Sequence, residues 1–445
     1  MFGDARARLS RRGVLAAALA TWGLSRSAFA KGRSPLGGRI ALRIPFAIRS
    51  LDPHRIDDPF SAIFSDCVFD ALYAREGVAF VPALAEGEPT AEGDGLVVSL
   101  RRGLQTGTGR PIDARDVVHS LSRAKRTGAR HWLAELGAFE RYGNDAVRFA
   151  LKDPPRLMEL LASPLTSVVP VAFEAEHPDG TGPFFVVPRA DGLSFVRNPK
   201  AARGPAFLDE IVLRGAPDLA ASLRAFEAGS DDVGWLGAGL HAPRPHSKLF
   251  DAGAAGWIVL ATGTLAGTFD APGVTQRLLD GLPPQKLTFL GLGAPWRRER
   301  EEGWSGPAGE VIVPDDSAYL IEVARTVAAL LSRPSHELSA APLPAREFAL
   351  RRHRRDHLLA LDTARVVARG PQATWTSLAT VAEPSSGVVR PPRVTEPSAR
   401  ILARTMRLGV VGELRVQGAR IAELTLPASE NGWDLGAATR GRKGL

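Results

Sequence analysis

Cysteine is nearly absent from the 445-residue chain, and Cys67 stands alone. A single thiol excludes an intramolecular disulfide framework and any zinc or iron–sulfur site built from cysteine pairs. Tyrosine and methionine are almost as scarce, at three each. Long apolar runs are missing too: the longest candidate, Gly13–Leu24, falls short of the roughly 20 residues that span a bilayer core. The usual signatures of catalysis are also lacking. No Gly-x-Ser-x-Gly elbow occurs, and Gly107-Thr108-Gly109 and Gly291-Leu292-Gly293 both want the third glycine of a dinucleotide loop. Gly436–Gly441 copies the spacing of a phosphate loop, but Arg442 stands where that loop needs lysine. An exported hydrolase therefore has no visible nucleophile, and no cofactor is expected.

What is present is an ordinary globular composition, 44% hydrophobic and 23% charged, which rules out disorder as the main state. Glycine (45) and proline (34) make the chain turn-rich, yet below the share that marks low-complexity sequences. The net charge of +8 invites a nucleic-acid reading, but Arg6, Arg8, Arg11, Arg12 and Arg26 against Asp4 supply half of it. Those residues belong to segment 1–30, which has the order of an export signal. A basic start with Ser10-Arg11-Arg12 precedes the mild apolar stretch, and Ala28-Phe29-Ala30 follows. The pattern resembles the twin-arginine type, with a general secretory signal as the alternative. No cysteine follows the cleavage site to carry a lipid, so a soluble periplasmic protein starting near Lys31 is expected.

Beyond that segment strands and helices alternate, as in an α/β protein. Ile40, Leu42 and Ile44 alternate as one face of a strand, and Leu51-Asp52-Pro53-His54 ends it. The spacing of Ile63, Phe64, Val68, Phe69 and Leu72 predicts a helix over 62–72, with Cys67 as an inert core residue. Asp113, Asp218 and Ser317 are placed to cap helices. Phe184–Val187 and Leu193–Arg197 read as a hairpin. The Gly/Ala/Pro-rich stretch 234–273 reads as a crossing between lobes, 285–292 as a strand and 383–397 as a return crossing. Two short strands are expected over 411–417 and 420–426. His353 and His357 have the spacing of a metal pair, but four arginines in the same turn disfavour a cation there. The same run lacks the aromatics that stack on bases, so no nucleic-acid partner is expected.

The order of motifs is more specific than any one of them. It begins with Leu51-Asp52-Pro53-His54, Val81–Glu86, Asp94-Gly95 with Leu100–Gly103, and Ala114–Leu121. It continues with Gly180–Phe184, Arg197-Asn198-Pro199, Leu208–Ile211 and Glu227-Ala228-Gly229 with Asp232-Val233. This series resembles family 5 extracellular solute-binding proteins, the oligopeptide-, dipeptide- and nickel-type components of ABC importers. The resemblance covers about residues 40–235 and is looser beyond. It implies a two-lobed type II periplasmic-binding-protein fold with a hinge and an inter-lobe cleft. Lobe I is expected over 37–255 plus 398–445, and lobe II over 256–397. It further implies a monomer that binds a peptide or other small organic solute and delivers it to a membrane permease. A sensor or interaction protein without transported solute is the alternative, and nickel or metal-chelate binding a lesser one. By the same resemblance, Arg130 and Trp132 would face the ligand, as would Phe60 and Ser61 in the loop after Asp52-Pro53, and Thr166 near Pro170. The acidic anchor that receives a peptide's amino group in the family is missing after Asp362, where the chain reads Thr363-Ala364-Arg365-Val366.

Overall fold

The computed structural model describes residues 36–48, 50–235, 245–292, 303–384, 392–429 and 432–441. The export-signal reading of residues 1–30 therefore lies outside the described residues. Ten strands form one mixed sheet in the order Leu338–Leu343, Gly309–Pro314, Leu359–Arg365, Ser247–Thr262, Leu408–Ile421, Val233–Trp235, Arg39–Ile44, Glu210–Gly215, Gly192–Arg197, Phe184–Arg189. Two of these are long, and together they hold the sheet as one. Ser247–Asp251 pairs with the end of Leu408–Ile421 beside Val233–Trp235, whereas Gly256–Thr262 pairs on its other edge with Leu359–Arg365. Between these stretches the register slips at Asp251/Ala254 and Ala254/Gly256. Such bulges bend and twist a strand pair.

The long strand Ser247–Thr262 runs through the region the composition suggests is a crossing. Small residues make it possible. A Cβ on Gly256 would lie 2.5 Å from the carbonyl oxygen of Ala364, so only glycine lets the neighbouring strand approach. Leu408–Ile421 is likewise one strand, where two short ones are expected. The stretch 285–292 is not a strand. Pro284–Leu290 is a 3-10 helix, set by Pro283 and Pro284 at its start and stopped by Gly291 at φ 74°.

The helix expected over 62–72 is shorter and begins earlier. Asp58 caps Pro59–Phe64, a 3-10 turn follows over Ser65–Cys67, and the chain then extends. The apolar spacing persists, but the backbone is used elsewhere. The carbonyl of Val68 accepts from the amide of Gly182, and that of Asp70 from the amide of Val168. A Cβ on Gly180 would sit 2.2 Å from the Val68 oxygen, which explains the glycines of Gly180–Phe184. Asp153-Pro154-Pro155 opens the helix Pro154–Leu161, with Asp153 accepting from the amide of Arg156 at 3.1 Å.

A second, four-stranded antiparallel sheet (Thr90–Glu92, Gly95–Ser99, Ala146–Phe149, Phe139–Arg141) carries the helix Ala114–Arg126 on its face. Asp113 and Asp116 form a reciprocal cap at its start, and Val117, Ser120, Leu121 and Ala124 face inward. Its last turn delivers Arg123 to the loop that follows the first strand.

Candidate functional site

The loop Leu51–Asp58 and the helix start that follows it are built on buried charge. The side chain of Asp52 is 9% exposed and accepts from both Nη atoms of Arg123, at 2.6 and 2.7 Å. It also accepts from the amide of His54 at 3.0 Å, while its own amide donates to Oγ of Ser61 at 3.0 Å. Arg123 Nη1 reaches Nδ1 of His54 at 2.9 Å, which leaves Nε2–H to donate to the carbonyl of Ser167 at 2.8 Å. The guanidinium lies over the ring of Phe173. Burial alone would raise the Asp52 carboxyl, but the hydrogen bonds and charge of Arg123 outweigh it and hold the group below its usual value. For His54 burial dominates and pushes the imidazole down to about 4.

That shift has a sign. The unfolded histidine protonates near 6.5 and the folded one at about 4, so the unfolded chain binds more protons between those values. The His54 contribution is full above pH 6.5 and falls as the pH drops toward 4, by at most about 1.4 kcal/mol per unit. Asp58, Asp70 and Asp362, which burial holds above the usual carboxylate range, act with the opposite sign. Urea unfolding of wild type and His54→Gln at pH 7 and pH 5 separates them. The stability difference between the two proteins is expected to shrink at pH 5, and a constant difference refutes the neutral imidazole.

Phe60 and Ser61, expected in this loop, lie instead in the first turn of the helix Pro59–Phe64. Phe60 is buried with its ring centroid 5.1 Å from that of Phe64, and Ser61 Oγ donates to Asp58. Trp132 and Thr166 lie near each other elsewhere: the carbonyl of Leu160 accepts from the indole at 3.1 Å and lies 3.4 Å from the Thr166 hydroxyl, which donates to the carbonyl of Ser163 at 2.7 Å. Trp132 is 1% exposed, with Arg156 over its ring. Arg130 turns the other way, to the end of the helix Pro371–Ala382. The structure thus joins Phe60 with Ser61 and Trp132 with Thr166, and brings the five to no common point.

A cavity of about 610 Å³ opens beside the loop, and none of those five side chains lines it. Its volume lies within the range of small-molecule sites. Phe69, Asp70 and Tyr73 line it after the short 3-10 turn, and the hairpin Tyr73–Pro82 contributes Arg75 and Phe80. Arg203 to Phe207 and the segment Val367–Arg369 add further walls. Trp433 comes from the C-terminal region and donates its indole N–H to the carbonyl of Ile63 at 3.3 Å. Asp70 is 5% exposed and accepts from the hydroxyl of Thr181 at 2.8 Å. Burial holds its carboxyl above the usual range. Cys67 also lines the cavity, but burial pushes its thiol well up, as suits an inert residue. The sequence reading missed these residues. The signal that could have found them is Gly180–Phe184, whose glycines must pack on the backbone of Val68.

Among the described residues no group of three metal-ligating side chains comes together, and no helix is long and apolar enough to cross a membrane. His353 is exposed, whereas His357 is buried beside Arg352, and burial pushes it to about 3. The two imidazoles therefore face different surroundings.

Residues 79–247 match the family described as bacterial extracellular solute-binding proteins, family 5 Middle. The fold agrees over a longer span. The oligopeptide-binding protein AppA of Bacillus subtilis, solved with a nonapeptide, is similar at TM-score 0.69 and 13% identity, over 92% of this chain and 100% of AppA. The periplasmic binding protein DppA of Helicobacter pylori, with the peptide STSA, gives 0.67 and 14% over 92% and 99%. NikA of Staphylococcus aureus, with Ni(L-His)2, gives 0.65 and 12% over 90% and 99%. Residues 79–247 thus resemble family 5, and the described chain has the fold of these solved binding proteins. No curated protein sequence matches it significantly. These likenesses establish the fold, a mixed α/β architecture shared with two-lobed binding proteins. The long strands Ser247–Thr262 and Leu408–Ile421 are the elements shared by both sides of its main sheet.

Proposed function

We propose that this chain is the exported solute-binding component of an ABC importer, taking a peptide or another small organic solute between its lobes and handing it to a permease. Lobe I would comprise 37–255 with 398–445 and lobe II 256–397, with the register slips around Ala254 in the long strand pair as the flexing point. The N-terminal segment 1–30 would serve as a twin-arginine export signal. The observation that carries this reading is the cavity. Its aromatic walls, its carboxyl and guanidinium groups and its deep-seated thiol, which burial keeps protonated, suit capture of an organic solute without chemistry upon it. The lip at Val367–Arg369 carries no carboxylate, so a peptide's amino group would be met from lobe I, where Asp66, Asp70 and Asp434 stand.

Trp433 makes the test direct. Saturating solute is expected to shift the intrinsic tryptophan fluorescence, and Trp433→Phe to remove most of that change while leaving the fold intact by circular dichroism. A full-sized signal in Trp433→Phe places the solute elsewhere.

A further inference from the structure

The meeting line of the two lobes is held by the chain's own cations. Arg365 ends the strand Leu359–Arg365 and is 1% exposed. Its Nη1 donates to the carbonyl of Pro53 at 3.0 Å, and its Nη2 donates to Oγ of Ser65 and faces Asp66 at 3.4 Å. Beside it the amide of Arg365 donates to the carbonyl of Ile56 at 2.7 Å, and Oγ1 of Thr363 to that of Asp57 at 2.8 Å. Every one of these acceptors lies in the segment Pro53–Asp66.

Arg130 makes the reverse reach. It follows the helix Ala114–Arg126 and donates to the carbonyls of Thr380, Glu383 and Pro384, at and just beyond the end of the helix Pro371–Ala382. The last carbonyls of a helix lack intrahelical donors and carry partial negative charge, so a guanidinium there acts as a cap supplied from outside. Around both arginines one apolar cluster runs from Leu133 and Leu165 to Val366 and Leu378.

We propose that Arg130 and Arg365 form a reciprocal latch that holds the lobes closed before any solute arrives. This rests on the two-lobe hinge proposed above. Oxygens that a separating cleft would return to water are already satisfied by the opposite lobe. The latch is also reversible by construction. A buried guanidinium regains hydration on opening, and Nε of Arg365 has no acceptor among the described residues, which limits what closure gains.

Pulsed electron paramagnetic resonance tests this. Spin labels go on Val171→Cys and Leu350→Cys, both about half exposed, in a Cys67→Ala background. Solute-free protein is expected to give one narrow distance distribution. Arg130→Met with Arg365→Met is expected to add a longer population at least several-fold larger than in the parent. A broad or long distribution in the solute-free parent overturns the latch, and so does an unchanged narrow one in the double variant. If Arg365→Met does not fold, Arg130→Gln alone carries the test. It alters a partly exposed side chain and is expected to broaden the distribution, and no broadening overturns the latch. Peptide titration of the same samples separates the two proposals. A double variant that opens while its parent binds nothing sustains the latch and removes the transport reading. One that binds peptide without opening does the reverse.

Discussion

Arg123→Met is expected to destabilise the protein by about 3–5 kcal/mol, the range for removing one partner of a buried ion pair. The methionine keeps much of the volume and the contact with Phe173, so the loss is electrostatic. Asp52 would retain only the amide of His54 as a donor, and Nδ1 of His54 would lose its partner at 2.9 Å. The carboxylate cannot escape to water, because its side chain is 9% exposed under the loop. Adding Asp52→Asn removes the orphaned charge, and the double variant is expected to recover at least about half of the loss. Urea midpoints for the two single variants and the double variant measure this directly. A single Arg123→Met variant within about 0.5 kcal/mol of wild type refutes the account of the loop.

Trp132→Ala is expected to cost about 3–5 kcal/mol, as large aromatic truncations in closed cores do. The indole belongs to the buried apolar cluster that also holds Leu133, Leu161 and Val168, and its N–H bond to Leu160 is buried. Trp132→Phe separates the two contributions. It keeps most of the packing but takes the indole donor from the buried Leu160 carbonyl, while the Thr166 hydroxyl is committed to Ser163, so a loss of about 1–2 kcal/mol is expected. Under conditions where both variants are folded, solute affinity is expected to stay at the wild-type value, because the cavity walls contain neither the indole nor its partners. An affinity loss in Trp132→Phe with stability retained puts this tryptophan back in the binding site.

Much of the fold was legible where short-range chemistry decides. Asp113, Asp218 and Ser317 cap helices as their positions suggest, and the hairpin Phe184–Arg197 closes at Ala190-Asp191. Failures occur where distant backbone competes. The apolar spacing over 62–72 resembles a helix, but Gly182 and Val168 claim backbone groups that a helix would need. The strand Ser247–Thr262 hides because its glycines and alanines match what neighbouring strands require, not what strand propensity favours. The site was less legible still. Arg130 attracts attention by its neighbours in sequence yet serves a helix end some 250 positions away. The cavity draws on Asp70, Arg203, Val367 and Trp433, and no local pattern connects them. Arg365 gives no sign in sequence that it is fully buried, since its acceptors lie about 300 positions earlier.

The central claim is that the cavity beside the Arg365 strand takes a small organic solute. Calorimetric titration of the protein, stripped of copurified solute by reversible unfolding, tests it most directly, using short peptides of varied charge against wild type and Asp70→Leu. Saturable heat at one site per chain with at least one peptide is predicted, with affinity at least tenfold weaker in Asp70→Leu. Saturable binding that Asp70→Leu leaves unchanged, or no heat with any peptide or small organic solute tried, would contradict it.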